Sequence, residues 1–312
     1  MQLIQIGQDG PKVAPIGMGT WAWGDTLFWS YGRDYGEEEL RAAYDASLEA
    51  GVTFFDTAEI YGTGRSEELL GSFAAANAEE HFIASKFFPY PWRVLRNSLP
   101  RALAGSLRRL GVSKLPLYQI HWPFPPRHFA TWLHGMADAV EAGLIGQIGV
   151  SNFGPRQMEK AIKVLESRGL RLASNQISYS LLARNAERNS LLQLCKDHKV
   201  TVIAYSPLAQ GLLTGKYSRQ HPLPDLARRI TSRSKLGRLV PLLAEMQRIA
   251  TLHGDKAISQ VALNWCVAKG TLAIPGAKNA KQAEMNAGAL SWSLSEEEVE
   301  RLDALSAEAI WS

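Results

Sequence analysis

Eight short, apolar, β-rich runs recur along this chain, and segments of helical period lie between them. That alternation limits the possible folds more than any other feature. The runs are 16–20 (IGMGT), 52–57 (VTFFDT), 81–87 (HFIASKF), 115–122 (LPLYQIHW), 146–152 (GQIGVSN), 172–180 (LASNQISYS), 200–207 (VTVIAYSP) and 271–277 (TLAIPGA). Near-continuous apolar runs suit strands covered on both faces, as in a parallel sheet. In 155–169, Met158, Ala161, Ile162 and Leu165 share a face, and Pro155 suits a first turn. In 128–143, Trp132, Met136, Ala139 and Val140 do the same, and Leu103, Leu107 and Leu110 form a stripe before Gly111. Ser295 with Glu298 three residues on reads as a capping box, with Leu294 and Val299 placed as its hydrophobic staple.

Eight β–α alternations predict an α/β fold, a (β/α)8 TIM barrel formed as one domain over 1–312. QLIQI and KVAPI around Gln8-Asp9-Gly10 predict an N-terminal β-hairpin. Extra helices are expected before the eighth run, near 239–253 and 257–269, and after it. A doubly wound sheet is the structural alternative. Its one supporting match, Gly17-x-Gly19-x-x-Ala22, leads into TWAWGDTLFWSYG, a tryptophan-rich loop and not a helix N-terminus. Segment 218–238 is polar, basic and proline-containing, and reads as a mobile loop.

Charge and composition narrow the partners. The net charge is +4, but lysine and arginine are scattered among acids without a basic tail, which argues against nucleic acid. No apolar run reaches membrane-spanning length, and the first residues lack a signal-peptide pattern. Cys195 and Cys266 are the only cysteines and read as small core residues in a reducing compartment. A cytoplasmic monomer without a metal site is therefore expected.

Four polar residues stand at or just beyond the ends of successive runs: Asp56, Tyr61, Lys86 and His121. In a (β/α)8 barrel the C-terminal strand ends form the active site. A tyrosine titrates near pH 10, too high for an efficient proton donor at neutral pH, and a nearby ammonium lowers that value. Lys86 supplies such a charge, Asp56 supplies the carboxylate a buried lysine needs, and His121 orients a carbonyl or shares in proton transfer. A carbonyl carbon would also need a hydride, which no side chain provides, so a cofactor is required. Taken singly, each residue has a plainer reading: a turn cap, a solvated lysine, a structural histidine. Four of them on three consecutive junctions favour function.

At this point the chain resembles the aldo-keto reductases, and the likeness covers essentially its whole length. FFDTAEIYGTGRSEELLG (54–71), IASKF, YQIHWP, GVSNF (149–153), NQISYS (175–180), AYSPLAQGLLTGKY (204–217) and IPGAKNAKQAEMNAGAL (274–290) carry it, in the expected order. The resemblance implies NADPH-dependent reduction of aldehydes or ketones, with Tyr61 as general acid supported by Lys86, Asp56 and His121. It also implies cofactor positions. Ser151, Asn152 and Gln176 would hold the carboxamide, and Tyr205 would stack on the nicotinamide. Ser206, Leu208, Gly211 and Leu212 would follow the pyrophosphate. Gly276, Lys278, Gln282 and Asn286 would serve the phosphate and adenine end, with Lys278 beside the 2′-phosphate. Many relatives place an acid just before the position of Asn286, where this chain has Met285 and, one step earlier, Glu284. Aromatic residues near the run ends, above all Trp21, Trp23, Phe88 and Trp122, suggest an apolar substrate pocket for aromatic or medium-sized aldehydes. Two alternatives remain: a nucleotide-sensing interaction module resembling potassium-channel β-subunits, and a Schiff-base aldolase built on Lys86.

Overall fold

The computed structural model describes residues 3–77, 81–124, 129–217 and 236–309. Segment 218–238, expected to be a loop, lies mostly outside them. Among the described residues the strands are β1 (Ile4–Gln5), β2 (Lys12–Val13), β3 (Met18–Gly19), β4 (Phe54–Asp56), β5 (Phe82–Phe87), β6 (Leu115–Ile120), β7 (Ile145–Ser151), β8 (Leu172–Ser178), β9 (Thr201–Tyr205) and β10 (Leu272–Ile274). Strands β3 to β10 pair in parallel in chain order. Parallel bridges between Ile16 and Ala273 and between Gly19 and Gly276 join the last strand to the first, so the sheet closes on itself. Closure excludes the doubly wound alternative, which needs an open sheet. The eight barrel strands match the eight apolar runs, with β7 starting one residue before its run, at Ile145.

The helices are α1 (Glu37–Glu49), α2 (Arg65–Ala75), α3 (Ser98–Leu110), α4 (Phe129–Glu141), α5 (Pro155–Glu166), α6 (Asn185–Arg188), α7 (Leu191–Asp197), α8 (Leu236–Leu252), α9 (Ile258–Ala268), α10 (Ala280–Ala287) and α11 (Glu296–Ala309). Their ends show the devices legible in the sequence. Pro155 opens α5, where a missing N–H costs nothing, and Gln157 Oε1 accepts from Gly154 N at 3.0 Å. Both halves of the capping box before α11 are present: Ser295 N donates to Glu298 Oε2 at 2.8 Å, and Glu298 N to Ser295 Oγ at 3.2 Å. Helix α1 packs against α10, so the helical ring closes beside the seam of the sheet.

Two cores follow from the period-two alternation of each strand. Phe55, Ile83, Tyr118 and Ile148 point outward to the helices. Phe54, Ala84, Leu117, Ile203 and Leu272 point inward and fill the barrel, joined by Ile6 and Val13. The hairpin of β1 and β2 thus caps the N-terminal end of the barrel. Gly7 N donates to Thr201 Oγ1 at 2.7 Å, which in turn donates to Gln5 O at 2.6 Å. The chemistry is left to the C-terminal end.

Candidate active site

The inward rows change character as they rise. In β4, Phe54 is followed two residues on by Asp56; in β5, Ala84 by Lys86; in β6, Leu117 by Gln119 and then, just past the strand, His121; in β9, Ile203 by Tyr205. A strand period of two therefore lays an apolar floor and delivers polar groups above it.

The four candidate catalytic residues meet there. Lys86 is fully enclosed and forms an ion pair with Asp56 Oδ2, itself enclosed. Its Nζ also donates to Thr57 O at 2.8 Å and to Tyr61 Oη at 3.3 Å. His121 stands edge-on to Tyr61, with ring centroids 5.7 Å apart. Thr20 Oγ1 and Thr20 N both donate to Asp56 O at 2.9 Å and hold the end of β4 in place.

Burial changes the expected electrostatics. The sequence reading has Lys86 lowering the pKa of Tyr61, but the pKa is raised. Desolvation of the phenolate outweighs the ammonium, and the charge of Asp56 adds to the rise. Burial also opposes the charge on Lys86, yet Asp56 and Tyr61 together keep its pKa above the ordinary lysine value. His121 is pushed well below its usual range, first by burial and then by Lys86. At neutral pH the site holds a protonated phenol, an ammonium paired with a carboxylate, and a neutral imidazole.

The residues expected at the nicotinamide end adjoin this group. Asn152 adopts a left-handed backbone (φ 63°), an uncommon state for a non-glycine residue and one found at functional sites. Its Nδ2 donates to His121 O at 3.2 Å and to Ser151 Oγ at 3.0 Å, and its Oδ1 accepts from Tyr205 Oη at 2.9 Å. Ser151 Oγ donates to Gln176 O at 2.9 Å. Gln176 Nε2 donates to Asp56 Oδ1 at 2.8 Å. Ser206, Ala209 and Gln210 also have positive φ, so the chain turns tightly after β9 through the segment carrying Leu208, Gly211 and Leu212. Asn279 caps α10 by accepting from Gln282 N at 3.0 Å, and Gln282 Oε1 accepts from Lys278 N at 2.9 Å. Asn286 is buried and donates to Gly276 O at 3.3 Å. A polar corner, a tightly turned loop after β9, a helix N-terminus and a nearby cation suit a phosphorylated dinucleotide.

Lys278 is not a solvated lysine. Its Nζ donates to Trp29 O at 3.2 Å and lies over the rings of Trp29 (4.9 Å) and Tyr35 (4.5 Å).

The aromatic candidates divide. Trp21 stacks on Phe28 at 5.0 Å and lies 6.5 Å from the ring of Tyr61, while Phe88 stands edge-on to His121 at 5.5 Å. Trp122 stacks on Phe124 at 4.9 Å. Trp23 corrects the expectation. It is fully buried against Phe73, and its Nε1 donates to Ala277 O at 3.0 Å, so it fills the space under the loop and does not line the mouth.

Two further features join the site. Glu59 binds Arg93 in a two-pronged pair (2.5 and 2.8 Å) and accepts from Phe88 N at 2.7 Å, which fixes the wall beside His121. Gln119 donates to Asp56 Oδ1 at 3.2 Å. Its signal was available: it precedes His121 by two residues and so shares its face.

Comparison with known proteins bears on this geometry. The model of the "Aldo/keto reductase family" matches residues 15–307. The chain is 40% identical over 309 residues to the chloroplastic pyridoxal reductase of Arabidopsis thaliana, covering 94% of this chain and 84% of that protein. It superposes on an aldo-keto reductase from Klebsiella pneumoniae solved with NADPH, at TM-score 0.78 and 29% identity, over 98% of this chain and 95% of that one. It also superposes on the thermostable aldo-keto reductase Tm1743, solved with the inhibitor epalrestat, at TM-score 0.80 and 33% identity, over 98% and 100%.

Proposed function

The chain belongs to the aldo/keto reductase family, and from that premise we propose how its own residues divide the work. The protein is an NADPH-dependent oxidoreductase that reduces carbonyl compounds to alcohols. When bound, NADPH supplies the hydride that the side chains lack.

Tyr61 gives its proton to the carbonyl oxygen. Lys86, fixed by Asp56 and Thr57 O, holds a positive charge 3.3 Å from that hydroxyl and stabilises the phenolate left behind. His121, neutral at working pH, orients the carbonyl by hydrogen bonding. Ser151, Asn152 and the carbonyl of Gln176 hold the carboxamide, and Tyr205 presents a flat face to the ring. The loop from Ser206 to Leu212 follows the pyrophosphate, and Gly276, Lys278, Gln282 and Asn286 serve the phosphate and adenine end. One observation carries this reading: phenol, ammonium and carboxylate form a continuous chain at the open end of a barrel whose other end is capped. The aldolase reading fits less well, because an enclosed ammonium that keeps its proton is a poor nucleophile.

The substrate is an aldehyde with a flat, apolar or aromatic body. Stacked pairs on three loops support this: Trp21 with Phe28, Tyr90 with Trp92 (4.6 Å), and Trp122 with Phe124. Arg93, which lies over the ring of Tyr90, is already held by Glu59. The name of the Arabidopsis relative makes pyridoxal the first compound to test. Two buried, unpaired cysteines suit a reducing compartment, and we place the working enzyme in the cytoplasm as a monomer.

The test is a spectrophotometric assay of NADPH oxidation with pyridoxal, benzaldehyde-type aldehydes and a small sugar aldehyde. Tyr61→Phe should cut turnover by about 10²–10⁴-fold, the usual worth of a positioned acid, and leave NADPH affinity nearly unchanged. Full activity in Tyr61→Phe would overturn the assignment. Activity confined to the sugar would overturn the substrate class.

A further inference from the structure

We propose that Gln119 is a positioning residue that holds the carboxylate of Asp56 in line with Lys86. The proposal rests on the assignment of Tyr61, Lys86 and Asp56 as the proton-transfer chain, and goes beyond it.

A carboxylate withdrawn from water must fill its lone pairs with donors. Asp56 is 1% exposed. Oδ2 is taken by Lys86. Oδ1 accepts from Gln119 Nε2 at 3.2 Å and from Gln176 Nε2 at 2.8 Å. Gln176 Nε2 is also 3.5 Å from Gln119 Oε1, so the three side chains form a triangle. They come from β4, β6 and β8, the alternate strands that share one layer of an eight-stranded barrel. Gln176 has a second assigned task toward the carboxamide. Gln119 is fully buried, and its Nε2 donates to the carboxylate.

The barrel makes room for it. Gly149 on β7 lies beside Gln119, where an added Cβ would sit 2.7 Å from Gln119 Cγ and 2.4 Å from Ser174 Oγ. Without the Gln119 amide, one side of Asp56 Oδ1 loses a donor and the carboxylate is free to rotate away from Lys86. The groups facing this chain are Asp56 of β4, Tyr61 after it, Lys86 of β5, His121 just after β6 and Tyr205 of β9. Asp56 is the anion that keeps protons on Lys86 and Tyr61. A less firmly held anion lets the Lys86–Tyr61 pair release its first proton at lower pH.

Gln119→Met keeps the length and removes the donor. The expected result is a fall in kcat of roughly ten-fold or more, the scale of one hydrogen bond to a charged group. The basic limb of the kcat–pH profile should move to lower pH. NADPH affinity, read by fluorescence titration, should stay within about two-fold of wild type, because this residue does not touch the cofactor in the proposed scheme. Gln119→Glu is the control for folding and for rescue. A proton shared between two adjacent carboxyls replaces the amide donor, so at mildly acidic pH it should recover most of the activity lost in Gln119→Met. An unchanged kcat and unmoved limb in Gln119→Met, or no recovery in Gln119→Glu, would overturn the proposal. Equal losses of kcat and NADPH affinity would do the same, since they indicate general loosening. Tyr61→Phe, assayed in parallel, tells a failure of this proposal from a failure of the acid assignment.

Discussion

Burial governs the protonation of each catalytic residue more than any single neighbour does. An ammonium 3.3 Å from Tyr61 suggests a depressed tyrosine pKa, and the structure gives the opposite direction because the phenolate would be desolvated. Tyr61 therefore keeps its proton across the neutral range, as a donor must. His121 is the most informative residue for a stability test. Its folded pKa lies well below the ordinary 6.5, so below pH 6.5 the unfolded chain takes up a proton that the folded chain refuses. Stability from this residue is present above pH 6.5 and is lost as pH falls, at about 1.4 kcal/mol per pH unit until the folded pKa is reached. Urea unfolding of wild type and His121→Gln at pH 7 and pH 5.5 should show the larger acid loss in wild type; parallel losses would refute the neutral-histidine assignment. The residue types of this site were legible because barrel strands end on their functional groups. Gln119 was not singled out because an amide in an apolar run reads as an isolated polar residue until its carboxylate partner is known.

Loops and helix ends join the two halves of the site. The loop between β3 and α1 folds on itself through Asp25 Oδ1, which accepts from Phe28 N at 2.6 Å and Trp29 N at 3.2 Å. It is then tied to the β10–α10 junction by Lys278, through Trp29 O and the rings of Trp29 and Tyr35. One side chain thus links the proposed 2′-phosphate site to the aromatic wall. Lys278→Ala should weaken NADPH by about ten-fold, the order of one charge-assisted contact, with little effect on NADH, and should raise KM for aromatic aldehydes. Fluorescence titration with both nucleotides checks the first effect, and equal weakening would remove the phosphate role. Of these elements, the α10 N-terminus was visible in the sequence, while the tether was not. Trp29 and Lys278 are 249 residues apart, and a contact at that separation leaves no periodic trace. Trp23 departs from the expected pocket position for a related reason. It stands in a tryptophan-rich loop, and only packing against Phe73 and Ala277 separates a buried ring from one at the mouth.

At the scale of the molecule, function depends on closing the sheet. The seam between β3 and β10 is made by backbone: Gly17 N donates to Ala273 O at 2.8 Å, Ala273 N to Pro15 O at 3.0 Å, and Gly19 N to Pro275 O at 3.0 Å. A Cβ at Gly19 would lie 2.9 Å from Ile274 O, a backbone atom that cannot move without opening the seam. Gly19→Ala should lower unfolding free energy by about 1–3 kcal/mol, the usual cost of overpacking; an unchanged urea midpoint would show that the seam can yield. Among the described residues, no helix is long and apolar enough to cross a membrane. The sequence by itself determined the eight strand–helix alternations, the capped helix ends and the polar residues at the strand ends. These are local, because strand and helix periods are set by neighbours in the chain. Only the tertiary structure decided that Tyr61 holds its proton, that Gln119 shares Asp56, and that Lys278 ties a loop to a helix end. Desolvation and hydrogen-bond partnership depend on which distant strands meet, and that is settled only when the barrel closes.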